Sequence, residues 1–251
     1  DVEAVRVDGG IAKSSFTLGS TSNSTSFELR GGIGDDTFRV GAGNLFADLR
    51  SNVRILGGEG ADEVILDDRS ATIGGGYLFN TSPAGSGPDG GWFQKLRFFG
   101  PFHSHQTRDV TTQGIETMRL QGSPEDDKFE VTATPAGQNL ILEGNAGEDT
   151  FRVTAGGLRS NIRITGGEPI STTLGDTLFV TGTNVDLGSY LPGSQTHDGR
   201  VTANGHNIDF AGLEPVYAEG FGSFGFTTPR SRDIIDIRAY SAPGGATWTE
   251  I

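Results

Sequence analysis

Short apolar triplets recur along this chain at a near-constant spacing. Val5-Arg6-Val7, Phe16-Thr17-Leu18, Phe27-Glu28-Leu29, Phe38-Arg39-Val40, Val53-Arg54-Ile55 and Val64-Ile65-Leu66 begin 11, 11, 11, 15 and 11 residues apart. Further on, Phe129, Leu140, Phe151 and Ile162 are again each 11 apart. Most triplets alternate apolar, polar, apolar, the two-residue period of a strand with one buried face. Gly, Asn, Asp and Ser fill the intervals, and these residues make turns and tolerate positive φ. Strands of about three residues gain stability when they stack in parallel, one coil above another. The glycine corners keep the same beat: Gly9, Gly31 and Gly57 are 22 and 26 apart, and Gly122, Gly144 and Gly166 are 22 apart. The spacing predicts an all-β, elongated parallel β-helix (β-solenoid) with coils of about 22 residues, each carrying two strands. Right-handed winding is the expectation from the usual chirality of parallel connections. The alternative is an antiparallel sandwich, whose turns also come every 8–12 residues or so.

A longer repeat lies over the shorter one. Shifted by 113, LRGGIGDDTFRV (29–40) falls on LEGNAGEDTFRV (142–153), with eight of twelve positions identical. SNVRILGGE (51–59) matches SNIRITGGE (160–168) at seven of nine positions. Gly212-Leu213-Glu214 echoes Gly114-Ile115-Glu116. The reading is two modules, 1–113 and 114–211, and the start of a third at 212–251, as in a piece cut from an array. Residues 74–114 break the eleven-residue beat and read as a decorating insertion in the first module.

Composition narrows the function. The chain has 251 residues, 40 of them Gly, and a net charge of −13. So much Gly is poor helix material, at roughly 0.8–1 kcal/mol per interior residue against Ala. Clustered Lys and Arg for phosphate binding are lacking, which argues against nucleic acid as a partner. No apolar run approaches the roughly 20 residues of a membrane-spanning helix. There is no Cys, so disulfides, thiol catalysis and zinc–thiolate sites are excluded together. A Cys-free, acidic, Gly-rich chain beginning at Asp1 suits an exported, processed or excised product.

Two stretches read G-G-x-G-x-D-x-apolar-x without a departure: Gly31 to Arg39, with Gly34 and Asp36, and Gly57 to Ile65, with Gly60 and Asp62. A third, Gly144 to Arg152 with Gly147 and Asp149, has Asn145 in place of the second Gly. This pattern resembles the nonapeptide of the RTX family, exported bacterial calcium-binding proteins. The resemblance implies calcium held by Asp36, Asp62 and Asp149, with backbone oxygens near Gly31, Gly34, Gly57, Gly60, Gly144 and Gly147. Asp126, Asp127 and Asp176 join the candidate set in the second module. The sequence departs from the family in that its motifs are not in tandem: the two perfect ones are 26 residues apart. The alternative is structural, with each Asp capping its own tight turn. Acidic pairs such as Asp67-Asp68 read as solvated faces. Phrases such as Gly31–Val40 and Ile115-Glu116-Thr117-Met118-Arg119-Leu120 are also similar to repeats of large secreted or surface proteins of planctomycetes and related bacteria. That resemblance implies an extracellular or cell-surface repeat protein.

The densest aromatic cluster is Trp92, Phe93, Phe98, Phe99 and Phe102, followed by His103 and His105. It reads either as a glycan-stacking or partner-binding platform or as cover over the flank of the solenoid. Two His at i, i+2 without a third ligand make a weak metal site, and His197 and His206 read as surface residues. Two N-x-S/T sequons, at Asn23 and Asn80, matter only where the host glycosylates exported proteins.

No catalytic fingerprint is present. Two carboxylates about 5–9.5 Å apart in a groove would be needed for glycoside hydrolysis, and duplicated modules offer no single privileged groove. The expected function is therefore a non-catalytic structural or adhesive unit of a surface array, filament or stalk, calcium-stiffened in one version and self-associating end to end. A carbohydrate-binding module built on the 92–105 aromatics is the alternative, and a β-helix polysaccharide-degrading enzyme a more distant one.

Overall fold

The computed structural model describes residues 2–81, 90–96, 108–167, 175–227, 238–241 and 247–250. The protein is all-β, and two ten-stranded, mostly parallel sheets hold nearly all of its strands. In the first half the strands are β1 (Ala4–Asp8), β2 (Ser15–Leu18), β3 (Ser26–Ile33), β4 (Thr37–Val40), β5 (Val53–Glu59), β6 (Glu63–Asp67), β7 (Gly76–Thr81), β8 (Gly91–Leu96) and β9 (Asp109–Gln113). In the second they are β10 (Thr117–Gln121), β11 (Lys128–Val131), β12 (Asn139–Asn145), β13 (Thr150–Thr154), β14 (Ile162–Gly167), β15 (Thr177–Thr181), β16 (Leu187–Pro192), β17 (Gly199–Ala203) and β18 (His206–Ala211). β19 (Val216–Glu219) and β20 (Ser223–Phe226) follow. Arg238–Ser241 and Thr247–Glu250 pair antiparallel in a small sheet of their own.

Outside two stretches the chain passes from one sheet to the other at each step. The first sheet runs β1-β3-β5-β9-β8-β7-β11-β13-β15-β19, and the second β2-β4-β6-β10-β12-β14-β18-β17-β16-β20. The eleven-residue beat is this alternation, so residues 22 or 26 apart become lateral neighbours: Phe16 lies beside Phe38, and Phe27 beside Val53. The strands run four to eight residues, longer than the triplets that mark them. Backbone pairing extends the ladder into the glycine corners, where Gly32 pairs with Gly58.

The eleven-residue beat fails twice, and for the same reason each time. β7, β8 and β9 form an antiparallel meander within the first sheet, and β16, β17 and β18 form one within the second. Residues 74–114 are thus not a decoration. They supply three strands of a sheet, and Phe79, Phe93 and Val110 stand in line in its buried column. Each meander makes an odd number of stops in one repeat, so the next repeat starts in the opposite sheet: β1 lies in the first sheet, its counterpart β10 in the second, and β19 in the first again.

The core is a narrow ribbon between the two sheets. Inward positions carry Leu29, Val53, Ile55, Phe129, Phe151 and Leu178 on one side and Phe38, Val64, Met118, Leu142 and Ile164 on the other, all buried. Rings stack along the strand ladder, Phe16 on Phe38 at 4.7 Å and Phe129 on Phe151 at 4.5 Å between centroids. Such pairs add about 0.5–1.5 kcal/mol each beyond the area they bury. One ribbon residue per three or four suffices for a fold of this kind, which is why 34% hydrophobic residues are enough.

Candidate functional site: the stacked carboxylate corners

The glycine-aspartate motifs lie at the corners where the chain leaves one sheet for the other. Asp36, Asp62, Asp127 and Asp149 are each 1% exposed, so these carboxylates point into the protein. One oxygen of each takes a backbone N–H from the neighbouring coil. Ser14 N–H donates to Asp36 Oδ1 at 2.5 Å, Asp36 N–H to Asp62 Oδ1 at 2.7 Å, and Asp62 N–H to Glu116 Oε2 at 2.7 Å. A second ladder runs along the opposite edge and begins at Gly75, just before the first meander. Gly75 N–H donates to Asp127 Oδ1 at 2.6 Å, Asp127 N–H to Asp149 Oδ1 at 2.8 Å, and Asp149 N–H to Asp176 Oδ1 at 2.8 Å. Asp therefore caps the preceding coil rather than its own turn. Asp127 does both, accepting also from the Ser123 N–H and hydroxyl within its own turn.

The motif glycines follow from this geometry. A Cβ on Gly31, Gly57 or Gly144 would overlap the Oδ2 of Asp36, Asp62 or Asp149, five residues on, and a backbone carbonyl of the adjacent coil. Gly34, Gly60 and Gly147 have φ of +108°, +132° and +106°, in the left-handed region that glycine alone enters freely. Asn145, which replaces a motif glycine, adopts φ 79° and its side-chain amide donates to the Gly122 carbonyl at 2.7 Å.

The outer oxygens of Asp36, Asp62 and Asp149 are buried and accept no hydrogen bond. Burial and neighbouring carboxylates raise the pKa of Asp62 and Asp149. Removal from water pushes Asp149 up to about 8 and Asp127 up to about 6, and it raises Asp62 and Asp176 as well. Among the described residues no three acidic or His side chains converge as a metal cage. Asp36, Asp62 and Asp149 each leave one carboxylate oxygen without a hydrogen bond, whereas Ca²⁺ takes six to eight oxygen ligands or so.

Other sequence candidates are dispersed. Phe93 is fully buried in the core, between Phe79 and Val110, and is no part of an exposed platform. Trp92 projects from the opposite face of the same strand and is half-buried. Phe98, Phe99 and Phe102, with His103 and His105, lie outside the described residues. Asp67 and Asp68 are not a solvated face: Asp67 is buried under Arg39 and Arg69, which hold its carboxyl below the usual range, and Asp68 is fully buried. His197 is not a plain surface residue either, because its Nδ1 meets Glu214 and its φ is 68°. Asn23 is exposed and Asn80 half-buried.

Two further features had weak or no sequence signal. Thr21 Oγ1 accepts the N–H groups of Arg50 and Ser51, and Thr134 Oγ1 those of Arg159 and Ser160, at the corner opposite the carboxylates. The shift of 113 relates Thr21 to Thr134 and marks the pair in retrospect. The second is a buried cluster of Asp68, Tyr77 and Lys95, for which no repeat gives a hint.

Compared with known proteins, the chain matches no family model and no curated relative.

Proposed function

We propose that this chain is a stretch of a two-sheet parallel β-solenoid, and that it serves as a non-catalytic structural unit of an extracellular array. One observation carries the reading: the docking of the second repeat on the first recurs, strand for strand, where the third begins. β10 pairs with β6, and β11 with β7. β19 pairs with β15, and β20 with β16, with Val216 beside Leu178 as Met118 lies beside Val64. A junction that recurs without change is a rule for indefinite extension. The ends of such a rod are strand edges, which favour addition of further repeats or copies.

The chemistry of the corners supports a structural role over a catalytic one. Their carboxylates are spent on backbone N–H groups of the preceding coil. Stiffening then comes from the ladders themselves, with protons rather than calcium moderating the buried charge. The glycan-binding alternative keeps only Trp92 of the described aromatics.

Imaging the surface of the source cell with an antibody to this chain tests the reading. The expected result is rods or lattices with an axial repeat of about 43 Å, nine strand spacings of about 4.8 Å, because equivalent faces return only every second module. Freely diffusing protein with no ordered assembly overturns it.

A further inference from the structure

Lys95 heads an inward column of the first sheet that continues through Tyr77, Phe129, Phe151 and Leu178. Every other position named there is apolar or aromatic, and a cation in this place needs a reason. Lys95 is 8% exposed and its Nζ meets Asp68 Oδ2, in a carboxylate that is 0% exposed. The Tyr77 ring centroid lies 5.5 Å from Nζ, and the Tyr77 hydroxyl donates to the same Asp68 oxygen at 2.5 Å. That hydroxyl also lies 3.4 Å from Asp127 Oδ1. The other Asp68 oxygen, Oδ1, accepts the Leu45 backbone N–H at 2.7 Å. The cluster stands beside the start of the second ladder, at the corner between β6 and β7 where the first meander begins.

A buried Lys–Asp ion pair costs desolvation on both sides, so the fold holds these two groups together against a penalty. With nucleophile and carbonyl carbon held together, the condensation is intramolecular and its entropy cost is largely met by the fold. We propose that Lys95 and Asp68 are the site of an autocatalytic modification, an amide cross-link between Lys95 Nζ and Asp68 Cγ.

The step needs no outside reagent. The ammonium proton passes to the Asp68 carboxylate, leaving a neutral amine and a carboxylic acid. Nζ attacks Cγ, and the charge that develops on Oδ1 is held by the Leu45 N–H, as in an oxyanion hole. The Cγ–Oδ2 bond breaks. Oδ2 takes a second proton from the attacking nitrogen, relayed by the Tyr77 hydroxyl that already touches it, and leaves as water. The products are one secondary amide and one water molecule. A groove lined by Leu45, Phe46, Arg50 and Lys95 opens beside the cluster and gives the water an exit. The bond would tie the end of β6 in one sheet to β8 in the other.

High-resolution mass spectrometry of the purified chain tests this. The expected mass is about 18 Da below that of the sequence, the loss of one water. Trypsin should leave Lys95 uncut and yield a branched peptide joining 55–69 to 70–97, recognised by two C-terminal fragment series. Lys95→Arg should keep its full sequence mass. Asp68→Asn, which releases ammonia in the same step, should come out about 17 Da light. Wild-type protein at full mass with free cleavage after Lys95 overturns the proposal. So does a water loss that persists in Lys95→Arg or maps to a succinimide at Asp89-Gly90 or Asp198-Gly199.

Discussion

The backbone N–H of Asp36 donates to Oδ1 of Asp62, 26 residues further along the chain, at 2.7 Å. Both residues are 1% exposed, so the bond is made out of water. The same relation joins Asp127 to Asp149 at 2.8 Å. One side chain thus does for a corner what the backbone does for a strand: it satisfies the donor of the adjacent coil.

Removing one rung should be costly. Asp149→Ala leaves the buried N–H of Asp127 without its acceptor. A loss of about 1–3 kcal/mol is expected, read by urea denaturation. Asp149→Asn keeps the acceptor and replaces a carboxyl that, with its pKa raised to about 8, is largely neutral at pH 7, so it should retain most of the stability there. Equal losses in the two variants would contradict the hydrogen-bond account.

The ladder should respond to pH in an unusual direction. The pKa of Asp149 is raised to about 8 and that of Asp127 to about 6 in the folded chain. Folded protein therefore holds more protons than unfolded protein above the ordinary carboxylate range. The contribution is fully present below about pH 4, the unfolded value. It is lost as pH rises, through about 6 for Asp127 and about 8 for Asp149. Each titrating group contributes a slope of up to about 1.4 kcal/mol per pH unit. Denaturation midpoints should be higher at pH 5.5 than at pH 8 under constant salt. Asp149→Asn should flatten the upper part of the curve. A midpoint that rises with pH over this interval would be the contrary result.

Two glycine substitutions separate corner packing from mere chain flexibility. At Gly144 a Cβ would overlap Asp149 Oδ2 and the Gly166 carbonyl, whereas at Gly10 it would meet nothing within 4 Å. Gly144→Ala should cost about 1–3 kcal/mol or more, as overpacking does. Gly10→Ala should lie within about 0.5 kcal/mol of the parent. Similar melting temperatures for the two variants would count against the corner geometry.

Chelation should leave the protein alone. Asp36, Asp62 and Asp149 each commit one oxygen to a neighbouring coil, and among the described residues no three acidic or His side chains converge. Melting after dialysis against a chelator should match melting in added Ca²⁺ within the scatter of repeats. A large upward shift with calcium would show that ion binding stabilises the folded state and would restore the reading drawn from the Gly-Asp motifs.

Much of the architecture was legible because the alternation is short and regular. Phe16, Phe27 and Phe38 announce their strands by two-residue alternation and an eleven-residue beat, and the glycine corners fix which turns align. The meanders were not legible. Tyr77, Phe93 and Val110 carry the same apolar-in pattern as any strand, and nothing local distinguishes antiparallel return within a sheet from passage to the other. The platform alternative for the aromatic run around Trp92 took no account of adjacent strand residues facing opposite ways, so Trp92 and Phe93 part company, while cover of the solenoid flank was the other alternative. At the corners the motif gave the right residues but could not say where the carboxylates point. Gly31 and Asp36 serve equally well for an outward cation and for an inward backbone donor. Only the register of neighbouring coils decides between them. The Asp68–Lys95 pairing depends on the meander bringing distant residues together, so no spacing rule reveals it.

Lengthening the chain tests the central claim most directly. A variant carrying a second copy of residues 114–211 directly after the first should fold with the same junction and grow along one axis only. Small-angle X-ray scattering should show the maximum dimension longer by about 22 Å, four and a half strand spacings, with an unchanged cross-sectional radius. A compact particle that grows in all directions, or an extra copy that scatters as unfolded chain, would contradict the stacked-coil account.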